Sequence, residues 1–180
     1  MHYQLAIDRG NSQTKISVAQ HGNIAEARTC SDEALFDNLH SLQSAFAIDA
    51  IMLSNVREAD NSELLEKLHF APVIQMSNRL KFPFDIDYST PETLGHDRLA
   101  NMSGATVTMP LNDVLVIDFG TCITYSLLVN KAFIGGSIAP GIRMRFKALH
   151  EFTGNLPLVH PTDGLPMLVG DSTHNSIVSP

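Results

Sequence analysis

The feature that most constrains the fold of this chain is a nine-residue pattern that occurs twice. The first copy is Ala-Ile-Asp-Arg-Gly-Asn-Ser-Gln-Thr at residues 6–14, and the second is Val-Ile-Asp-Phe-Gly-Thr-Cys-Ile-Thr at residues 116–124. When the copies are aligned, the isoleucine, the aspartate, the glycine and the last threonine coincide, and strand-like apolar runs flank both. The repetition predicts two related units, each with an Asp-x-Gly turn between strands. Such a pair of units would hold one nucleotide from both sides, which makes a phosphotransferase the first hypothesis.

The order of the predicted elements indicates an α/β fold with mixed sheets and helices. The predicted strands are residues 3–7, 14–19, 24–29, 50–54 and 72–76, and then 114–117, 123–129 and 132–138. Helices are predicted after Ser31, which would cap the first one, and over residues 95–107 and 142–152, with a helical turn near 172–177. Residues 81–91 are predicted to form an irregular, proline-punctuated loop.

The restart of the strand meander after Pro110 suggests two domains. We expect an N-terminal domain over residues 1–109 and a C-terminal one over residues 110–180. The second contains fewer elements than the first, so its sheet would have an unpaired edge and a bare apolar face. This predicts that the second domain is incomplete, or that a partner covers that surface.

Composition excludes several classes of protein. The 44% hydrophobic and 17% charged content is typical of a globular chain, and the net charge of −7 argues against nucleic acid as the main partner. Two cysteines are too few for a disulfide framework, and neither a signal peptide nor a membrane-length apolar stretch is evident. We therefore expect a cytoplasmic protein without a membrane partner.

The first Asp-x-Gly turn has the side chains that a phosphate site needs. Gly10 allows close approach of the backbone to a phosphate, and Asp8 at a strand end suits Mg²⁺ held through water. Neutral donors and one positive charge follow at Asn11, Ser12, Thr14 and Lys15. The alternative is an ordinary hairpin turn, in which Asp and Gly are common. The second copy favours the phosphate site, because turn chemistry does not explain matched flanking strands.

The segment Thr-Pro-Glu-Thr-Leu-Gly-His-Asp-Arg at residues 90–98 is the second candidate site. Asp97 stands in the first turn of the predicted helix, where a carboxylate can accept a proton from an attacking hydroxyl. Arg98 beside it can clamp a carboxylate or phosphate with its planar fork. The alternative is that Asp97 only interacts with the helix dipole and that Arg98 is a solvated surface residue.

Two glycine-containing segments are weaker signals, namely residues 135–141, predicted as a strand-to-helix turn, and residues 170–173. No P-loop, dinucleotide-binding glycine pattern or zinc-type histidine spacing is present in the sequence. His96 is interpreted as a loop residue, Cys122 as a small buried thiol, and the phenylalanines as core residues.

Taken together, the chain resembles the type III pantothenate kinases of the acetate-kinase/sugar-kinase/Hsp70/actin superfamily. The resemblance runs along nearly the whole chain. Its five ordered motifs are Asp8-x-Gly10-Asn11-Ser12, residues 90–98, Asp118-x-Gly120-Thr121, Gly135-Gly136-x-Ile138-x-Pro140-Gly141 and Gly170-x-Ser172-Thr173. It implies duplicated ribonuclease H-like (actin-like ATPase) domains, and ATP-dependent phosphorylation of pantothenate to 4′-phosphopantothenate, the first step of coenzyme A biosynthesis.

The resemblance also implies roles for individual residues. Asp97 would be the general base. The pantothenate-binding residues would be Tyr88, Gly95, His96, Asp97, Arg98 and Thr173, with Thr153 supplied across a homodimer interface. ATP would be bound by Asp8, Gly10, Asn11, Ser12, Thr14, Lys15, Gly120 and Thr121, and Mg²⁺ by Asp8 and Asp118. The family also needs potassium or ammonium, and Ser126 stands where it often has an acidic residue.

Two alternatives remain open at this point. A non-catalytic relative could keep the nucleotide cleft in a regulatory role, or the chain could be a truncated and inactive kinase. A different enzyme of the superfamily, acting on a sugar or a carboxylate, is disfavoured by the Gly-His-Asp-Arg helix start.

Overall fold

The structure is a computed structural model that describes residues 2–55, 61–110, 113–160 and 166–179. The strands are β1 (Tyr3–Arg9), β2 (Thr14–Gln20), β3 (Asn23–Cys30), β4 (Ile48–Asn55), β5 (Val73–Gln75), β6 (Asp85–Ile86), β7 (Val114–Phe119), β8 (Cys122–Val129) and β9 (Ala132–Pro140). The helices are α1 (Leu35–Ala45), α2 (Ser62–Lys67), α3 (His96–Thr108), α4 (Ile142–Glu151) and α5 (Thr173–Val178), with a 3-10 turn at Pro91–Thr93.

The first sheet has the strand order β3-β2-β1-β4-β5, and β1 is its centre. β1 pairs antiparallel with β2 and parallel with β4, so the sheet is mixed. Alternation sets which face is buried, since Leu5 and Ile7 lie opposite Val18 and Ile16 and all four are almost fully buried. The same register places Asp8 beside Lys15 on β2 and beside Ser54 on β4, so these three residues share the other face of the sheet.

Apolar stripes on α1 and α2 form the main core with this sheet. Leu35, Leu39 and Leu42 recur on α1 at helical spacing, and Leu64 of α2 joins the same cluster. The same cluster includes Leu5 and Ile7 of β1, the strand after which the first candidate turn begins.

The second sheet has the order β6-β9-β8-β7. The β8–β9 hairpin turns through Asn130 and Lys131, whose φ angles of 49° and 63° match the left-handed residues of a hairpin turn. The backbone N–H of Asn130 also donates to Asp113 Oδ1 at 2.8 Å. Strand β6 pairs parallel with β9, with Asp85 opposite Ala132 and Ile86 opposite Phe133.

The chain divides into two compact units: residues 1–114 with 128–134, and residues 115–127 with 135–180. The first unit therefore includes the tip of the β8–β9 hairpin. In the second unit, Phe146, Val159 and Ile177 form a small buried cluster. The boundary predicted near residue 110 stays a prediction, and residues 111–112 lie outside the described ranges.

Four local predictions are wrong. Residues 81–91 contain β6 and the first residue of the 3-10 turn, and His96 is the first residue of α3 instead of a loop residue. The glycines at 135 and 136 lie inside β9, with φ angles of 109° and 152°, instead of in a turn. Helix α1 begins at Leu35 without a side-chain cap, because its N-cap position is Ala34; the Ser31 hydroxyl lies before it and donates to Glu33 Oε2.

Across the ranges that the structure describes, no helix is both long enough and apolar enough to cross a membrane.

Candidate active site

The first Asp-x-Gly turn joins β1 to β2 in the first unit. Asp8 is the second-last residue of β1. The Gly10 N–H donates to the Gln13 carbonyl at 3.1 Å, and this hydrogen bond closes the loop. Asn11 and Ser12 are exposed at its tip, and Lys15 is exposed on β2. The turn thus presents backbone and hydroxyl groups to solvent, with a lysine on the same sheet face as Asp8.

Two side chains brace this turn from behind. Thr14 is fully buried and its hydroxyl donates to Asp32 Oδ1 at 3.3 Å, so this threonine supports the loop from inside the fold. Arg9, which the sequence did not single out, lies 3.9 Å from Asp32 Oδ2 through Nη2 and donates through Nη1 to Asn61 Oδ1 at 3.0 Å. No sequence signal identified Arg9, because its partners are distant along the chain.

The second Asp-x-Gly turn joins β7 to β8 in the second unit. Here the Gly120 N–H donates to the Cys122 carbonyl at 2.9 Å, and β8 begins at Cys122. In the alignment of the two copies β8 therefore starts two residues earlier than β2, so the second turn is the tighter one. Gly120 and Thr121 are exposed, whereas Thr124, the counterpart of Thr14, is buried.

Gly141 holds the second turn in place. Its N–H donates to the Thr121 carbonyl at 3.0 Å, and a Cβ at this position would collide with the carbonyl oxygens of Gly120 and Thr121. A side chain at residue 141 would therefore displace the backbone of the turn itself. This gives the Pro-Gly end of the fourth motif a physical reason, because the glycine lets α4 begin directly against the turn.

The start of α3 carries the predicted general base. The Asp97 carboxylate accepts the Arg98 N–H through Oδ1 at 2.8 Å, and the side chain is only half-buried. Gly95, the residue before the helix, has room for no side chain on this side, since a Cβ would collide with Asp97 Oδ1. The carboxylate is thus held in one place at the mouth of the helix, accessible to a ligand.

Arg98 and Tyr88 meet on the ring of Phe133. The Arg98 guanidinium carbon lies 5.3 Å from the ring centroid, and the Tyr88 ring packs edge-on at 5.8 Å between centroids. Arg98 is only 4% exposed, so its interpretation as a solvated surface residue is wrong. The first unit therefore brings together two of the predicted substrate-binding side chains, and Phe133, interpreted from the sequence only as a core residue, lies between them.

The remaining predicted residues are distributed along the second unit. Asp118 lies near the end of β7. Thr153 follows α4, is exposed and donates its hydroxyl to the Leu149 carbonyl at 2.6 Å. Thr173 is the first residue of α5, which is capped by the Ser172 hydroxyl accepting the Asn175 N–H at 3.2 Å.

Among the described residues, neither a metal cluster nor the groove beside α1 coincides with these site residues. Over the described ranges, no three His, Cys, Asp or Glu side chains come together as metal ligands. A groove of about 440 Å³ between α1 and α2 is lined by Phe36, His40 and Lys67 among others, and it contains none of the predicted site residues.

Comparison with known proteins decides the family. Residues 4–179 match the sequence profile of the type III pantothenate kinases. A type III pantothenate kinase of Christiangramia forsetii is 42% identical over 179 residues, which cover 97% of this chain and 72% of that protein. One from Cytophaga hutchinsonii is 40% identical over 179 residues, with the same coverage of both chains. The chain belongs to the type III pantothenate kinase family.

One solved structure is similar to this chain in fold. A Campylobacter jejuni protein described as a Baf family transcriptional activator superposes with a TM-score of 0.61, covering 97% of this chain and 71% of that one. At 23% identity this likeness concerns the fold alone. The predicted α/β fold with mixed sheets is confirmed, and so is the predicted family.

Proposed function

We propose that this chain transfers the terminal phosphoryl group of ATP to the primary hydroxyl of pantothenate and releases 4′-phosphopantothenate and ADP. Membership of the family supports both substrates and places the product on the route to coenzyme A. The observation that carries the proposal is the start of α3, where an accessible carboxylate lies next to an arginine and a tyrosine held on one ring.

Asp97 is the general base in this proposal. The hydrogen bond from the Arg98 N–H occupies Oδ1 and fixes the carboxylate plane, and no described residue donates to Oδ2. An oxygen in this position can take the proton of the attacking hydroxyl as the bond to phosphorus forms.

Arg98 and Tyr88 bind the substrate in this proposal. Pantothenate is a carboxylate, and a guanidinium recognises such a group with two parallel hydrogen bonds. Tyr88 is half-buried against Phe133, so its ring edge and hydroxyl can line the same site. Gly95, His96 and Thr173 complete the proposed substrate contacts.

Magnesium is the metal we propose, and the residues present fit it. Asp8 offers a carboxylate at the end of β1, and Asp118 offers one near the end of β7. Mg²⁺ is typically bound by one or two carboxylates together with phosphates and water, so a three-ligand protein cluster is not needed. When bound, the ion would neutralise charge on the phosphates. The backbone and side chains of Gly10, Asn11, Ser12, Thr14, Lys15, Gly120 and Thr121 are the proposed phosphate contacts.

We also propose a potassium or ammonium requirement, a homodimer that contributes Thr153, and a cytoplasmic location. Ser126, which replaces the acidic residue often found at its position, is buried on β8. Sedimentation equilibrium is expected to give twice the mass of the 19.7 kDa chain, and the mass of a single chain would contradict the dimer.

The first test is pantothenate-dependent ADP release from ATP and Mg²⁺, in potassium and in sodium buffer. Asp97→Asn should lower kcat by roughly 100-fold or more, because general-base catalysis contributes on that scale. Asp37→Asn is the matched control, since Asp37 is also in the first turn of a helix, α1, and is exposed. Both variants lose a helix-dipole interaction of under about 1 kcal/mol.

The results of these assays distinguish the proposed kinase from the non-catalytic alternative. Loss of turnover in Asp97→Asn alone supports the base assignment, and equal activity of both variants would contradict it. A wild-type chain that binds ATP but releases no ADP with pantothenate would favour the non-catalytic alternative.

A further inference from the structure

Phe133 occupies a position that its sequence context does not explain. Its side chain is 0% exposed, and it is the largest fully buried side chain among the described residues. Instead of packing only on other apolar groups, its ring contacts the guanidinium of Arg98 and the ring of Tyr88. A single ring therefore touches two side chains that come from different parts of the chain.

Backbone hydrogen bonds also connect the strand of Phe133 to the segment just before Tyr88. The Asp87 N–H donates to the Phe133 carbonyl at 2.9 Å, one residue before Tyr88, and the Asp85 N–H donates to the Lys131 carbonyl at 2.9 Å. These two bonds form the short parallel ladder between β6 and β9. Since β6 has only two residues, the ladder is short, and the ring of Phe133 adds a side-chain contact for Tyr88 just beyond it.

The hairpin that carries Phe133 is itself fixed. Asn130 and Lys131 adopt the left-handed angles that a tight hairpin needs, and Asp113 accepts the Asn130 N–H. The ring thus belongs to a hydrogen-bonded hairpin, and contact with it limits the rotamers open to the arginine side chain. Stacking of the guanidinium over an aromatic face both restricts the fork and stabilises its charge away from water.

We propose that Phe133 is a positioning residue for the substrate: it holds the Arg98 fork and the Tyr88 ring in the one arrangement that binds pantothenate. This inference rests on the proposed function for the identity of the substrate. In this role, a residue near the tip of the β8–β9 hairpin sets the orientation of Arg98 on α3 and of Tyr88, which follows β6. The ring acts through its contacts with Arg98 and Tyr88.

The experiment replaces the ring and follows both binding and the guanidinium. Phe133→Leu keeps an apolar side chain, and Phe133→Met is a second variant in case the first does not fold. Phe84→Leu is the matched control, because Phe84 is also a buried phenylalanine of the first unit and its recorded ring contact is with Phe82 at 5.4 Å. Steady-state kinetics gives KM for each substrate, and the Nε–H signal of Arg98, assigned with Arg98→Lys, reports the ring contact by NMR.

Phe133→Leu is expected to raise KM for pantothenate about tenfold, the loss of a buried cation–π contact, with KM for ATP changed less than about twofold. The Arg98 signal should lose its ring-current shift. Phe84→Leu should lower thermal stability without either effect. A folded Phe133 variant that keeps the pantothenate KM and the Arg98 shift would overturn the proposal.

The two proposals fail in different ways. If the wild-type chain did not turn over pantothenate, the proposed function would fall, and an unchanged Arg98 signal in Phe133→Leu would separately overturn the positioning role.

Discussion

Two charged residues at the start of α3 differ in the solvent exposure of their side chains. Arg98 is 4% exposed, whereas the neighbouring Asp97 is half-buried. A buried guanidinium is costly unless its charge is compensated, and the face of Phe133 supplies part of that compensation. The arginine is therefore buried in the fold while the carboxylate remains accessible. This arrangement suits the roles proposed for them, substrate binding by Arg98 and general-base catalysis by Asp97.

Burial also separates the two cysteines. Burial raises the pKa of the Cys30 thiol, and the negative charge of Asp32 raises it further. Cys30 is 8% exposed, whereas Cys122 is only half-buried. We expect iodoacetamide at pH 8 to modify Cys122 in the native protein well before Cys30, because the thiolate is the nucleophile.

Mass spectrometry of peptides from a labelling time course checks this, with unfolded protein as the control in which both thiols react. Equal native rates would contradict the burial of Cys30. The sign of the pH effect follows from the raised pKa: the contribution of neutral Cys30 to stability is present at neutral pH and is lost as the pH rises above the unfolded value of about 8.5.

At the scale of elements, two glycines of α3 and its N-terminal cap, Gly104 within the helix and Gly95 directly before it, have opposite surroundings. A Cβ at Gly95 would collide with the Asp97 carboxylate, which is the movable end of a side chain, whereas a Cβ at Gly104 meets nothing within 4 Å. Gly95→Ala should therefore displace the carboxylate and leave the fold in place. We expect kcat to fall roughly 100-fold, as misplacement of a catalytic group by about 1 Å can cause, with a stability change below about 1 kcal/mol.

Gly104→Ala is the control on the same helix. It should raise the free energy of unfolding by about 0.5–1 kcal/mol, since alanine is the better helix former, and leave kcat unchanged. Urea unfolding and ADP release measure the two effects. A Gly95→Ala enzyme with full activity would show that the position of the Asp97 carboxylate is not critical.

The elements that the sequence predicted well are those with a local signal. Alternating apolar residues identified β1, β2 and β8, and helical spacing identified α3 to within one residue at each end. Strand β6 was missed because it has two residues and its partner, β9, lies more than forty positions away. The glycines of β9 were interpreted as a turn because glycine usually interrupts strands, although here both lie in the sheet.

At the scale of the whole molecule, the repeat was the decisive sequence signal. It predicted the two turns and their flanking strands. In the structure each copy forms a turn between two strands, β1 and β2 in the first sheet and β7 and β8 in the second. The motif at residues 90–98 predicted a general base at Asp97 and a substrate-binding arginine at Arg98. Nothing in the sequence indicated that Phe133 would lie against Arg98 and Tyr88. That contact depends on the path of the chain between residues 88 and 133, which no local pattern shows.

The central claim is that this chain moves a phosphoryl group from ATP to the hydroxyl of pantothenate. The most direct measurement is ³¹P NMR of the purified chain with ATP, Mg²⁺, potassium and pantothenate. A new phosphomonoester signal is expected to grow in step with ADP and to be absent when pantothenate is omitted. Formation of ADP with inorganic phosphate only, or no consumption of ATP at all, would contradict it.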